Sequence, residues 1–382
     1  MKWFGSGRHR QHNPETEVWA GLPGPATEVP ARAEAIAAAL AADGTFVRAE
    51  PTEHGLGPVE RVHDPALVRW LEGAWAECRA QSPRREIIPD TVAHPGFGAG
   101  LAEPTASPLG RLGYWCFDTM TPLVEGTYAA ARGAVDVALS ALDAVLAGDR
   151  AAYALCRPPG HHAGTSVIGG FCYLNNAAAA AAAMLDAAQA PVAILDLDYH
   201  HGNGTQQIFY DVPEVRYVSL HGDPDRAFPY YTGRAAESGH GPGSGANRNF
   251  PLAEGCGDEE YLAVLDSALD LIGTGRPAGL IVSLGLDTYR LDPICDLALT
   301  TEGYRHIGRR VERLGLPTVV IQEGGYHLPD LGANARSWLR GFLGLDAAQP
   351  EPAHVADSGP AQSGPAQSRP AQSRPTRPGR HV

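Results

Sequence analysis

Val192-Ala-Ile-Leu-Asp196-Leu-Asp198-Tyr-His200-His-Gly-Asn203-Gly204 begins as an aliphatic, β-branched run and ends in carboxylates and imidazoles. A short apolar run closed by a turn signal reads as a buried strand. Similar runs stand at Tyr153-Ala-Leu-Cys156, Val215-Arg-Tyr-Val-Ser-Leu220, Gly279-Leu-Ile-Val-Ser-Leu284 and Thr318-Val-Val-Ile-Gln322. Stretches with helical patterning lie between them, at 175–188, 258–272 and 301–314. Alternation of this kind predicts an α/β protein whose parallel sheet is covered on both faces. Asp258-Glu-Glu260 supplies acidic first-turn residues for one helix, and Thr300 offers a cap for the next. The Gly- and Pro-rich segments Arg84–Pro122 and Gly222–Pro251 are expected to be irregular.

In open α/β sheets ligands bind beyond the carboxyl ends of the strands. Asp196, Asp198 and His200 are spaced by two, which puts all three on one side if the strand runs to its end. They form either a metal site or a cap and turn. Asp287, in Leu284-Gly-Leu-Asp287-Thr288, sits at an equivalent place. Alone it reads as a cap; with Asp198 and His200 it completes a three-ligand set of oxygen and nitrogen donors. A third strand leads into Arg157-Pro-Pro-Gly-His161-His162, where a turn lets both imidazoles face one cavity. A fourth ends in Gln322-Glu-Gly-Gly-Tyr326, whose glycines let the backbone turn sharply and project a phenol. Each feature is ordinary by itself. Together they supply metal-assisted amide hydrolysis with a bound water, a base, an electrophile for the carbonyl oxygen and an acid for the leaving amine.

With 382 residues, 44% of them hydrophobic, the chain can bury a large core. Its net charge of −13 excludes the basic footprint that nucleic acid requires and suits a cationic substrate. Lys2 is the single lysine, and arginine use with alanine runs suggests a G+C-rich bacterial genome. The six cysteines include no C-x-x-C pair, the start lacks a signal-peptide apolar region, and the alanine run 177–183 is too short to span a bilayer. A cytoplasmic protein with no membrane partner is expected. Residues 1–346 are expected to form the catalytic domain. From 347 onward a Pro-, Ala-, Gln- and Ser-rich near-repeat predicts a disordered tail, 347–382.

Arg157-Pro-Pro-Gly-His-His-Ala163, Gly170-Phe-Cys-Tyr-Leu-Asn-Asn176, Asp196 through Thr205, Leu284-Gly-Leu-Asp-Thr288 and Glu323-Gly-Gly-Tyr326 resemble the zinc-dependent histone deacetylase superfamily. Ser219-Leu-His-Gly-Asp-Pro224, Phe228-Pro-Tyr-Tyr-Thr-Gly233 and Leu291-Asp-Pro-Ile294 look most like its bacterial acetylpolyamine amidohydrolase branch. The resemblance implies an arginase/deacetylase-like α/β fold with a central eight-stranded parallel sheet flanked by helices. It implies zinc or iron(II) on Asp198, His200 and Asp287, His161 and His162 as the acid/base pair, and Tyr326 polarising the carbonyl. Asp196 would hydrogen-bond the first histidine and Asn203 the second, where an amide raises basicity less than a carboxylate does. Gly170, Phe171, Phe228 and Ile294 would line the substrate path. A structural potassium ion would be held partly by backbone oxygens of Asp196, Asp198, His200, Ser219 and Leu220. The implied substrate is a small acylated amine, and long loops with a homodimer restrict access in such relatives; the stretches 84–122 and 13–28 suit that role.

Three other readings compete. An acyl-lysine or secondary-metabolite deacylase shares every motif. Ureohydrolases share the fold but bind two manganese ions, using an aspartate where Gly285 stands. A non-catalytic binder would have lost the phenol or a histidine, yet Tyr326, His161 and His162 are all present. No G-x-S-x-G elbow supports a serine hydrolase.

Overall fold

The computed structural model describes residues 1–94, 96 and 105–346. Met1–Ala347 form one compact unit. The tail expected from 347 onward lies outside the described residues, as does Glu103, an acidic residue of the 84–122 stretch that could face a substrate cation.

Eight strands make one parallel sheet in the order β4-β1-β5-β10-β9-β6-β7-β8. They are β1 Lys2–Phe4, β4 Val47–Ala49, β5 Ala151–Ala154, β6 Val192–Asp196, β7 Val215–Gly222, β8 Asn247–Leu252, β9 Leu280–Leu284 and β10 Thr318–Gln322. A separate antiparallel hairpin joins β2 Thr16–Trp19 to β3 Leu22–Pro25. The sheet has the arginase/deacetylase-like arrangement expected. The five adjacent strands β5, β10, β9, β6 and β7 are those whose aliphatic runs are legible, because both faces are covered. Val192 and Ile194 enter one core with Ile281, Val319 and Ile321; Ala193 and Leu195 enter the other with Leu280, Val282 and Val320. Period-two alternation between two apolar layers produces a continuous apolar run.

The first layer is built by α3 Pro65–Arg79, α5 Thr127–Leu146 and α6 Asn176–Ala188; the second by α1 Pro30–Ala42, α8 Asp258–Thr274, α9 Thr301–Glu312 and α10 Leu328–Phe342. Asp258, Glu259 and Glu260 occupy the first turn of α8, and the Thr300 hydroxyl accepts from Gly303 N at 3.0 Å to cap α9. Helices α9 and α10 approach closely, since a Cβ on Gly308 would lie 2.1 Å from the Trp338 carbonyl oxygen.

Several expectations need correction. Strand β6 stops at Asp196, so the turn that follows, and not continued strand pleating, directs Asp198 and His200. The segment 84–122 contains a helix, Pro108–Trp115 (α4), capped by Ser107. The segment 222–251 ends in β8, whose Asn247 and Asn249 are buried and donate to Gln206 Oε1 at 3.0 and 2.8 Å. A polar inward face hid that strand. No described helix is long and apolar enough to cross a membrane.

Gly308→Ala should wedge α9 from α10 and cost roughly 1–3 kcal/mol, as overpacking does. Urea denaturation of the purified protein measures it, and a midpoint unchanged from the parent would contradict this packing.

Candidate active site

Sheet order does what sequence order does not. Strands β5, β10, β9 and β6 are consecutive neighbours, so the loops carrying His161 and His162, Tyr326, Asp287, and Asp198 with His200 emerge side by side.

Asp196, fully buried at the tip of β6, accepts from Asp198 N on Oδ1 at 3.2 Å; on Oδ2 it faces the Tyr217 hydroxyl at 3.0 Å and His161 Nδ1 at 3.1 Å. Burial by itself lowers a histidine's pKa, but Asp198 and Asp196 outweigh it and push His161 up to about 10. His162, 4.1 Å away ring to ring, meets only an amide: its Nδ1 donates to Asn203 Oδ1 at 2.7 Å. With Nδ1 protonated by that bond, Nε2 keeps a free lone pair. Burial and the charges of His161 and His200 drive His162 well below the ordinary value. One imidazole is thus cationic and its neighbour neutral.

Asp198, His200 and Asp287 converge under this pair. His200 Nδ1 lies 3.3 Å from Asp198 Oδ1 and 3.1 Å from Asp287 Oδ2. The remaining carboxylate oxygens are oriented by backbone donors, Tyr199 N to Asp287 Oδ1 at 2.9 Å and Gly324 N to Asp198 Oδ2 at 2.7 Å. Burial and the Asp198 charge raise Asp287, whereas His161 and His200 overcome burial and hold Asp198 low. A Cβ on Gly324 would reach within 2.3 Å of Asp287 Oδ2, and one on Gly285 within 2.2 Å of Asp198 Oδ2. The donor set therefore fits a single divalent cation. The place where a second metal's ligand would stand has neither a side chain nor room for one. Cys295, which the sequence left unassigned, brings its sulfur within 4.8 Å of the His200 and Asp287 donor atoms.

Tyr326 is held from two sides. Its backbone N donates to Asp292 Oδ2 at 2.8 Å, and the Arg32 guanidinium lies 4.6 Å from its ring centroid. Burial keeps the phenol protonated, although Arg32 pulls the other way. Arg32 also donates to the Gly325 and Glu323 carbonyls at 2.6 and 2.7 Å and to Glu28 Oε1 at 2.7 Å. Arg157 meets the same Glu28 oxygen at 2.9 Å. Glu323, fully buried, accepts from Gly160 N at 2.7 Å and fixes the turn that carries the histidines.

Gly170, Phe171, Phe228 and Ile294 line one narrow pocket with His161, His162, His200 and Tyr326. Phe171 has a left-handed φ of 65°, a costly conformation that turns its ring toward Tyr326, 6.0 Å away. Trp19 and Met120, from the two stretches suited to restricting access, line the same pocket.

The sequence reading missed Glu28, Arg32, Asp118 and Asp292, and left Glu323 without a role. Only Arg32 carried a signal: it is a cation on the apolar stripe of α1, four and eight residues before Ile36 and Leu40.

A parallel sheet of the arginase/deacetylase kind whose carboxyl edge gathers a histidine pair, a donor triad and a buried phenol defines a hydrolase of that α/β class. The chain belongs to the histone deacetylase family, its residues 26–342 matching the histone deacetylase domain. It is 43% identical over 336 residues to acetylpolyamine amidohydrolase 1 of Pseudomonas aeruginosa, covering 88% of this chain and 97% of that one. It is 40% identical over 344 residues to the acetylpolyamine amidohydrolase of Mycoplana ramosa, covering 90% and 100%. A crystal structure of an acetylpolyamine aminohydrolase from Burkholderia pseudomallei superimposes with a TM-score of 0.84 at 40% identity, covering 90% of this chain and 98% of that one.

Asn203→Asp should raise the His162 pKa, because a carboxylate opposite Nδ1 favours the imidazolium. Ring NMR titration reads this directly. If neutral His162 is the active form, the rising limb of kcat/KM against pH moves to higher pH with it; a His162 titration unchanged by the substitution would refute the assignment.

Proposed function

We propose that this protein is a metal-dependent deacetylase that hydrolyses the N-acyl amide of a small acylated amine such as an acetylpolyamine. One observation carries the reading: a neutral imidazole, a cationic imidazole, a protonated phenol and a convergent Asp-His-Asp set all open on one narrow pocket. The relatives matched over nearly their whole length carry acetylpolyamine amidohydrolase names, which supports the substrate class.

Asp198, His200 and Asp287 would hold zinc or iron(II), since one imidazole and two carboxylates accept either. Bound there, the cation supplies Lewis acidity to the carbonyl and acidifies a water. Cys295 stands beside this set, its thiol raised far above its usual range by burial and by the charges of Asp287 and Asp292. His162 Nε2 takes the proton from the attacking water. His161, held by Asp196, carries the positive charge that balances the tetrahedral oxyanion, and the pair delivers a proton to the departing amine nitrogen. Tyr326 donates its hydroxyl to the carbonyl oxygen as negative charge develops there. Asp196 and Ser219 are register partners on β6 and β7, and we place structural potassium beside them, among the backbone oxygens of Asp196, Asp198, His200, Ser219 and Leu220. A homodimer, as the resemblance implies, belongs to the same reading.

Tyr326→Phe should lower kcat by about 10²–10³ with little change in KM, the cost of removing one oxyanion donor. Asp287→Ala should abolish both turnover and stoichiometric metal, read by assay and metal analysis; unchanged deacylation by that variant would sink the hydrolytic mechanism. Turnover of acetylspermidine, acetylputrescine and an acetyl-lysine peptide by zinc- and iron(II)-loaded enzyme decides the substrate class. Faster peptide cleavage would refute the small-amine reading.

A further inference from the structure

Outside the narrow pocket the chain forms a wider groove whose walls include Trp19, Phe117, Phe228, Tyr230 and Tyr231. Trp19 and Phe228 line both spaces, so the groove adjoins the mouth of the pocket. Aromatic rings normally turn inward, and here three do not. Trp19 is 40% exposed at the end of β2, Tyr230 44% and Tyr231 89%. Among the described residues these are the large aromatic side chains that stand exposed, and all three are at this mouth. The two tyrosines are held there: Tyr230 has a left-handed φ of 67°, Tyr230 N donates to Ala227 O at 3.0 Å, and Tyr231 N donates to Pro229 O at 2.8 Å. The Tyr230 ring packs edge to face with Phe228 at 6.3 Å, and Phe228 stacks on Phe117 at 5.9 Å. Exposed rings maintained against their hydrophobic preference, in a strained turn, mark a contact surface.

The carboxylates near this mouth are already engaged. Asp118 is the one acidic residue among the described groove-lining side chains. Its oxygens turn inward to accept from Gly170 N at 2.5 Å, Met120 N at 2.9 Å and the Thr121 hydroxyl at 3.2 Å. Glu17 on the β2–β3 hairpin is buried and accepts from Thr27 N and its hydroxyl, each at 3.1 Å. The groove therefore offers π faces to a ligand and no free carboxylate among its described residues, while a net charge of −13 draws cations to the molecule. A ring face attracts an ammonium through its quadrupole without requiring N–H donors.

We propose that Trp19, Tyr230 and Tyr231 form an ammonium-binding rim that holds the distal cation of the acylated amine by cation–π contact. This rests on the small-amine reading above and adds what selects the amine. Recognition by π faces makes the rim tolerant of N-methylation and intolerant of charge removal.

The test uses the full-length, metal-loaded enzyme and three acetamides: N-acetylputrescine, its N′,N′,N′-trimethyl analogue, and N-(5,5-dimethylhexyl)acetamide, in which a neutral tert-butyl group replaces the trimethylammonium. The two cations are expected to give kcat/KM within about threefold of each other, and the neutral isostere a KM roughly fivefold to thirtyfold higher, the range for exposed to desolvated cation–π contacts. Trp19→Leu should erase most of that discrimination, and Trp19→Phe, which restores a ring, should recover part of it. A merely structural role would move all three substrates together. Rejection of the quaternary analogue relative to acetylputrescine would overturn the proposal, as would loss of cation preference on Glu103→Gln with Trp19→Leu unaffected. Turnover of all three without charge discrimination overturns this proposal alone. Failure of all three while an acetyl-lysine peptide is cleaved overturns the small-amine reading and this one with it.

Discussion

Four carboxylates, Asp196, Asp198, Asp287 and Glu323, lie within the same buried layer at the ends of β6, β9 and β10, none more than 1% exposed. Removing like charges from water together is among the costliest things a fold does, and it is tolerated only when each is paired, hydrogen-bonded or neutralised. Every neighbouring feature is a response to that constraint. Backbone N–H groups of Asp198, Tyr199, Gly160 and Gly324 point into the cluster. His161 is driven to its cationic form, and Glu323 is raised to about 7 by burial, so one carboxyl can take up a proton. A divalent cation among Asp198, His200 and Asp287 would neutralise what these leave.

The two histidines show how finely that field is divided. Adjacent in the chain and 4.1 Å apart in space, they would titrate alike if burial alone decided. Asp198 and Asp196 beside His161 make it a cation, while His162, with only the Asn203 amide at its Nδ1, is lowered by burial and by the charges of His161 and His200 to a neutral base. A pair with separated pKa values is an acid and a base already assigned. The second buried network, in which Glu28 bridges Arg32 and Arg157, does similar work behind the phenol. Losing Glu28 would strand two guanidinium groups away from water, so it couples the stability of the N-terminal segment to the placement of Tyr326.

What was legible in the sequence followed from local physics. Strands buried on both faces announce themselves as unbroken aliphatic runs, and a polar residue just past such a run is exposed to whatever binds at the sheet's edge. Residues 196–200, 287 and 326 could be found in this way. Strand β8 could not, because its inward Asn247 and Asn249 satisfy hydrogen bonds instead of burying hydrocarbon. Nor could β4 at the sheet's edge and β1 beside it, three residues each. The order β5-β10-β9-β6 was also beyond local reading, since it sets β10 beside β5, more than a hundred positions away in the chain. Asp118 escaped for a related reason: a carboxylate in a Gly- and Pro-rich segment looks solvated until the chain brings Gly170 N against it.

The division between chemistry and access follows from the same topology. The reacting groups stand on loops of the inner strands, where any displacement would disturb both cores and the carboxylate layer. The mouth is assembled from pieces that carry none of that load: a two-stranded hairpin ending in Trp19, the Phe117–Met120 loop and the turn after Phe228. A substitution of Trp19, Met120, Tyr230 or Tyr231 would change the mouth without touching the carboxylate layer. Loops on a rigid scaffold vary readily for this reason. An enzyme of this construction keeps one hydrolytic centre and changes its substrate at the rim, so the identity of residues 19, 120, 230 and 231 is more informative about the amine than any residue that touches the amide.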